Sequence, residues 1–435
     1  MAWLALILFV GIFVSILSGY PVSFTLGGLS FVFALVASIF MPELMDFLDL
    51  LPLRIMGVMQ NYVLLAVPLF IFMGLMLEKS GLAESMLHSM ARLFGKVRGG
   101  LAVSVIIVGA LLAASTGIVG ATVITMGLIS LPTMLKKEYD VKLATGVIAS
   151  SGTLGQIIPP SIVLILLGSV LNVSVGDIFS AALLPGILLV VIYIIYVLLI
   201  ARIYPDTAPD MLEEEIVFDR SFIVSLIRAF VMPLVLILTV LGSIFAGIAS
   251  PTEAAAVGAL GAVVLAIING KFRWKYLHEV SIETTHLTSM VFLILLGATT
   301  FALVFKGLGG DSYLTDLVAN GDLQPTTFLL LVMLIVFVAG FFIDFIEIIF
   351  IIVPVVAPIF IAMKMDLVWI GILLALNLQT SFLTPPFGFA LFYLKGVAPP
   401  SVTTSDIYKG VIPFLILQLM VLMLVFLYPK IIYLV

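Results

Sequence analysis

Long apolar runs make up most of this chain, and its information lies in the polar positions that interrupt them. Runs of spanning length lie near residues 2–18, 23–41, 56–77, 143–168, 179–201, 229–247, 253–270, 286–305, 366–394 and 409–434. A membrane-crossing helix needs about 20 mostly apolar residues, so each run predicts a helix in the bilayer. Two further runs, 101–135 and 326–359, are too long for one crossing and too short for two crossings plus a loop. They predict re-entrant helical hairpins. The first folds back at residues 114–120, ASTGIVG, and the second at residues 340–347, GFFIDFIE. Residues 42–54 and 274–285 are amphipathic and predict helices lying in the membrane interface.

Two runs are broken from within. Residues 150–161 read SSGTLGQIIPPS, and residues 377–388 read NLQTSFLTPPFG. An unsatisfied backbone group in hydrocarbon costs several kcal/mol, so broken backbone at that depth needs a buried or wet site. The two breaks are 226 residues apart, and the same offset pairs Gly81 with Gly307, Ala114 with Gly340, Pro132 with Pro358 and Asp140 with Asp366. The offset drifts to 230 upstream, where Pro21 meets Pro251, and to 229 downstream, where Asp177 meets Asp406. An internal repeat at this period divides the chain into residues 1–203 and 224–435. The first unit holds hairpin 101–135 and broken helix 143–168; the second holds hairpin 326–359 and broken helix 366–394. Between them, 204–223 forms a polar linker whose acidic run reads as a solvated segment.

Composition agrees. Hydrophobic residues are 63%, charged residues only 10% and the mean hydropathy is +1.35, far from the roughly 25% charge of soluble domains. The chain is a polytopic membrane protein. Its first 18 residues carry no Lys or Arg, so the first run reads as a retained span and not a cleaved signal. With no cysteine and three scattered histidines, His88, His278 and His286, disulfides, thiolate metal sites and a metal enzyme are not expected. No nucleophile–base pair for an intramembrane enzyme is visible either.

Charge distribution sets the orientation. With the N-terminus outside and both hairpins re-entrant, 15 of the 19 Lys and Arg fall in cytoplasmic loops. Only Arg54, Lys306, Lys364 and Lys430 remain outside, as the positive-inside rule favours. The first hairpin then enters from the cytoplasm and the second from the periplasm. Each unit has five crossings, an odd number, so the two must be inverted. The predicted fold is an all-α polytopic membrane protein of two inverted-topology repeats, each with one re-entrant helical hairpin, and with both termini periplasmic.

Inverted repeats with discontinuous helices are the usual architecture of secondary transporters, with solute and ion sites near the midplane. Two opposed hairpins suit alternating access better than a continuous channel. A partly dehydrated Na⁺ needs several oxygen ligands, which an unwound turn and nearby hydroxyls supply. Candidates are Ser150, Ser151, Thr153, Gly155, the Ile158 carbonyl and Ser161 in the first break. In the second they are Asn377, Gln379, Thr380, Ser381, Thr384 and the Phe387 carbonyl. Each break should face its own hairpin tip. Asp344 and Glu347 are intramembrane acids and hence functional candidates, whereas Glu253, three residues after Ser250, reads as a helix-cap partner. Thr116, Ser151, Thr153, Asp344, Asn377, Gln379 and Thr380 are the hydroxyls, amides and acid placed to meet a solute. No cofactor is expected beyond Na⁺ as coupling ion, and no nucleic-acid partner.

The segments SSGTLGQIIPPS, GIASPTEAAAVGA and NLQTSFLTPPFG resemble those of the large membrane subunit of TRAP (tripartite ATP-independent periplasmic) transporters, the DctM-like family, across essentially the whole chain. The resemblance implies a permease of the bacterial inner membrane that imports organic acids with sodium. It also implies two partners, a small four-helix membrane subunit and a periplasmic substrate-binding protein, and an elevator mechanism in which a transport domain moves against a scaffold. Carried onto this sequence, it puts one sodium site at Gly340, Ser381, Thr384 and Phe387, and by repeat symmetry the other at Ala114, Ser115, Gly155, Ile158 and Ser161. Ser381 stands where the family commonly has glycine. No four-span block precedes Met1, so the small subunit is expected as a separate chain. The alternative is a stand-alone divalent-anion/sodium symporter, whose fold is similar.

Overall fold

The computed structural model describes residues 3–210, 220–320 and 323–434. Among them there are helices and no strands. Helix α1 is Trp3–Leu17 and α2 is Val22–Ser38. Two short helices, α3 at Glu43–Asp49 and α4 at Leu51–Met59, replace the single interfacial helix expected over 42–54. Then come α5 at Tyr62–Lys79, α6 at Leu82–Leu93, α7 at Gly100–Thr116, α8 at Val119–Lys136, α9 at Val141–Thr153, α10 at Ile162–Leu171 and α11 at Val175–Ile203. The second part begins with α12 at Phe222–Phe245 and continues through α13 at Pro251–Ile268, α14 at Trp274–Gly307 and α15 at Gly310–Asn320. It ends with α16 at Pro325–Ala339, α17 at Phe345–Ile351, α18 at Val353–Ala362, α19 at Leu367–Leu383, α20 at Phe389–Val397 and α21 at Thr404–Leu427. Among the described residues, seven helices are long and apolar enough to cross a membrane, eight if the bent pair α17–α18 is one span.

Local chemistry explains where the elements begin. Asp140 caps α9 by accepting from the amides of Lys142 and Leu143, and Asp366 caps α19 by accepting from Val368 and Trp369. Just before each, Glu138 and Lys364 adopt left-handed backbone (φ 58° and 56°). Ser174 accepts from the Asp177 amide at the start of α11, and Thr403 and Asp406 form a reciprocal capping box on α21. Each satisfies donors that a helix N-terminus leaves free. Ser250 and Glu253 do the same for α13, as the sequence suggests.

Gly81 (φ 67°) and Gly309 (φ 76°) are left-handed, whereas Gly307, which shares the 226 offset with Gly81, ends α14. One expectation needs correction. Residues 274–285 are not a separate helix but the first turns of the 34-residue α14, since no Pro or Gly interrupts that stretch. The start of the linker is also pinned: Ala208 is buried, its carbonyl accepts from the Gly99 amide at 3.0 Å, and the Thr207 carbonyl accepts from the Asp140 amide at 2.9 Å. The acidic run at 213–215 lies outside the described residues.

Small residues let helices approach closely, which is how helices associate without a hydrophobic driving force in lipid. A Cβ on Gly146 of α9 would lie 2.1 Å from the Gly410 carbonyl oxygen of α21, and one on Gly410 2.2 Å from that of Lys142. The broken helix of the first part is thereby joined to the last helix of the second.

Candidate functional site

The 101–135 run forms two helices, α7 and α8, packed together around a turn at Gly117 (φ 62°). The turn is stapled by a 2.8 Å hydrogen bond between Thr116 and Thr122. In the 326–359 run, α16 stops at Ala339 and the chain turns through residues 340–344. Phe328 of α16 packs edge-on against Phe360 of α18 at 5.2 Å, closing the other end. Asp344 is half-buried and accepts from the Phe345 amide at 2.7 Å, so it caps α17 at the tip.

In the first break, α9 ends at Thr153, a short 3-10 turn covers Leu154–Gln156, and α10 begins only at Ile162. The second is shorter: α19 runs on to Leu383, so Asn377, Gln379, Thr380 and Ser381 are helical and only 384–388 are irregular. The unwound turn is thus confined to the segment that contains Phe387. Only the prolines enforce the end. Proline lacks a donor and pushes the preceding residue out of the α region, and Thr384 is accordingly extended (ψ 121°). Both Pro-Pro bonds, 159–160 and 385–386, are cis.

Each break meets its own hairpin tip. A Cβ on Gly155 would lie 2.3 Å from the Ala113 carbonyl oxygen, and one on Gly117 2.9 Å from the Ile162 side chain. At the second tip, a Cβ on Gly340 would lie 2.1 Å from Ser381 Oγ, and Phe342 stacks on Phe387 at 5.1 Å. Ser381 therefore fits because residue 340 has no side chain. Ala114, Ser115, Gly155 and Ser161 are buried beside the first tip, with Ile158 half-buried.

The hydroxyls have a common orientation. Ser115 donates to Leu112, Ser151 to Ile148, Thr153 to Ser150, Ser161 to Gln156, Thr380 to Leu376, Ser381 to Leu378 and Thr384 to Thr380, all to backbone carbonyls at 2.7–3.1 Å. With their protons committed, these oxygens keep lone pairs for an electron-poor ligand. The breaks also touch each other: the Gln379 amide donates to Thr153 Oγ1 at 3.5 Å, across 226 residues of sequence. Asn377 is held by donating to the Met333 carbonyl of α16 at 2.7 Å.

Sequence reasoning passed over Gln156. It is fully buried, and neither its Nε2 nor its Oε1 has a partner; Ser150 Oγ and Gln379 Oε1 are unpartnered too. Its counterpart at the 226 offset is Phe382, so a search led by repeat symmetry misses it. A glutamine inside a polar break was the available signal.

The surrounding helices hold both ends of this assembly. Asn61, at the start of α5, donates to Ser169 of α10 at 3.2 Å. At the other end of α5, Thr125 of α8 donates to Glu78 in a short hydrogen bond. Between them Gly74 lies against the first hairpin tip, where a Cβ would come 2.4 Å from the Ser115 carbonyl oxygen.

The family model for the DctM component of tripartite ATP-independent periplasmic transporters matches residues 9–431. The chain belongs to that family. It is 30% identical to the C4-dicarboxylate TRAP transporter large permease protein DctM of Pseudomonas aeruginosa over 92% of this chain and 91% of that one. It is 30% identical to the ectoine TRAP transporter large permease protein TeaC of Halomonas elongata, over 85% and 84%. The fold is similar to the crystal structure of the Alcanivorax borkumensis YdaH transporter (TM-score 0.62, 15% identity, 89% of each chain). Its TRAP relatives are permeases and not enzymes. This chain is thus an integral membrane TRAP large permease with many helical spans.

Proposed function

We propose that this TRAP permease is the sodium-driven importer subunit for an organic acid delivered by a periplasmic binding protein, working with a small membrane subunit in the bacterial inner membrane. On this reading its halves are inverted repeats and both termini are periplasmic. Hairpins and broken helices form a transport domain that rides, elevator-fashion, against a scaffold of α2, α5, α13 and α14. Na⁺ sits where each tip meets its break: at Ala114, Ser115, Gly155, Ile158 and Ser161, and at Gly340, Ser381, Thr384 and Phe387. Thr116, Ser151, Thr153, Asp344, Asn377, Gln379 and Thr380 surround the solute.

What supports the reading most is the unequal closure of the hairpins. The first tip is packed against α5 through Gly74, whereas the second tip and break leave Phe342 and Phe387 about half exposed, at 48% and 44%. Two tips packed unalike in a single state are what alternating access requires. The polar groups at the centre carry no fixed cation, so an anion would be held by dipoles and by co-bound Na⁺.

The test is uptake into proteoliposomes holding this chain, the small subunit and the cognate binding protein, driven by an imposed Na⁺ gradient. Uptake by this chain alone would instead favour the stand-alone symporter. Movement is tested by a disulfide. The chain has no cysteine, so Asn61→Cys with Ser169→Cys introduces the only thiols, at side chains in contact. Oxidation is expected to stop uptake and reductant to restore it. A formed disulfide that leaves uptake intact rules out relative movement of α5 and α10.

A further inference from the structure

A crevice of ≈ 740 Å³ lies apart from the breaks, between α14 and α4 on one side and α10 and the α17–α18 pair on the other. Its volume is in the range of ligand sites. The walls are mainly apolar, with Leu303, Phe305, Phe350 and Val355 among them, and Arg54 and Lys306 are the cations of its lining. Both side chains are exposed, and among the described residues neither forms an ion pair.

The position of these cations is unusual for the chain. Helix α14 is 34 residues long, so its ends are about 50 Å apart. Its first end lies beside Lys271, Arg273 and Lys275, on the strongly basic face, and Lys306 is at the other. Arg54 and Lys306 are two of only four basic residues assigned to that second face, and both line one crevice. Asp311 is the only acid of the lining. Burial pushes its carboxyl above the ordinary range while Lys306 pulls it back. Two cations against one acid leave the lining net positive.

An apolar groove with cations at its mouth, at the end of a spanning helix, matches an amphiphile with an anionic head. A small hydrophilic anion would meet the cations but gain nothing from the apolar walls. A lipid without net charge would fill the walls but leave the excess positive charge unmatched. We infer that the crevice binds an anionic phospholipid, its phosphate on Arg54 and Lys306 and an acyl chain against Leu303, Phe305, Phe350 and Val355. This concerns occupancy alone and holds whether or not sodium, the partners or the moving domain are as proposed above.

The experiment uses the full chain, delipidated in detergent and read by thermal shift and native mass spectrometry. Phosphatidylglycerol is expected to raise the Tm and persist as a bound adduct. Phosphatidylcholine and glycerol 3-phosphate, which lack the net charge and the chains respectively, are expected to do neither. In the double variant Arg54→Gln/Lys306→Gln, phosphatidylglycerol binding should weaken about tenfold or more, as loss of charge-assisted contacts predicts. Ala302→Trp, on the crevice wall, fills the groove while keeping both cations. It should abolish the adduct, and it decides the matter if the double variant does not fold. Unchanged binding in a folded double variant or in Ala302→Trp overturns the inference. So does an equal response to phosphatidylcholine, and an equal response to glycerol 3-phosphate would make the crevice a small-anion site.

Discussion

The two breaks share their framing residues and differ in what they enclose. Both follow an aspartate-capped helix and end at a Pro-Pro pair. From residue 150 to 161 the first is buried throughout except for Ile158, which is half-buried. It contains Gln156, a side chain with two unmet hydrogen-bonding atoms. The second has an aromatic ring, Phe382, at the matching place, and residues 386 and 387 are exposed. Packing accounts for the difference. At the first tip Gly74 lets α5 press against the hairpin. In the second half α14 packs on α17, and the crevice lies between it and α18. A shared backbone plan thus yields one buried polar break and one whose end is exposed.

The sharpest way to break this comparison is to add one methyl group at each tip. Gly155→Ala drives a carbon into the Ala113 carbonyl, and backbone there cannot step aside. Uptake should be lost and the Tm fall, overpacking of this kind costing about 1–3 kcal/mol or more. Gly340→Ala clashes with the Ser381 side chain and meets backbone, the Val336 carbonyl, only at an ordinary 3.4 Å, so Gly340→Ala/Ser381→Gly should fold like the parent. Failure of that double variant would show that the contact is not the constraint. Less severe are Ser381→Ala and Thr384→Ala, each removing one oxygen at the open break. Half-saturating Na⁺ for uptake should rise about tenfold, the equivalent of ~1.4 kcal/mol, and an unchanged Na⁺ activation curve for both would count against the second site. Smallest is Gln156→Met. An unmet buried amide costs about 1–3 kcal/mol, so a Gln156 that binds nothing should give a more stable variant with normal uptake. A Gln156 that serves solute or ion should give the same stability gain with impaired uptake.

Local chemistry decided how much of this could be read in advance. Asp140 and Asp366, Ser250 and Glu253, and the paired prolines act within a few residues of themselves, and the elements they bound were foreseen. The tips at 114–120 and 340–347 were equally legible, because a turn inside an apolar run has few explanations. What escaped depends on contacts distant in sequence. That Asn377 to Leu383 stay helical is not marked by any residue before Pro385, and α14 continues through 274–285 because its change from amphipathic to apolar carries no breaker. The unequal closure of the tips rests on Gly74 and on a groove lined by seven helices, and the isolation of Gln156 on everything packed around it.

Gly146 and Gly410 give the last consequence. With each backbone seated on the other's helix, the helix that leads into the first break is fastened to the terminal helix of the chain. If each break carries an ion, the two loads share one vehicle, and neither can be returned across the bilayer while the other stays. Stoichiometric coupling would then need no message between the sites, only a joint too close to slip.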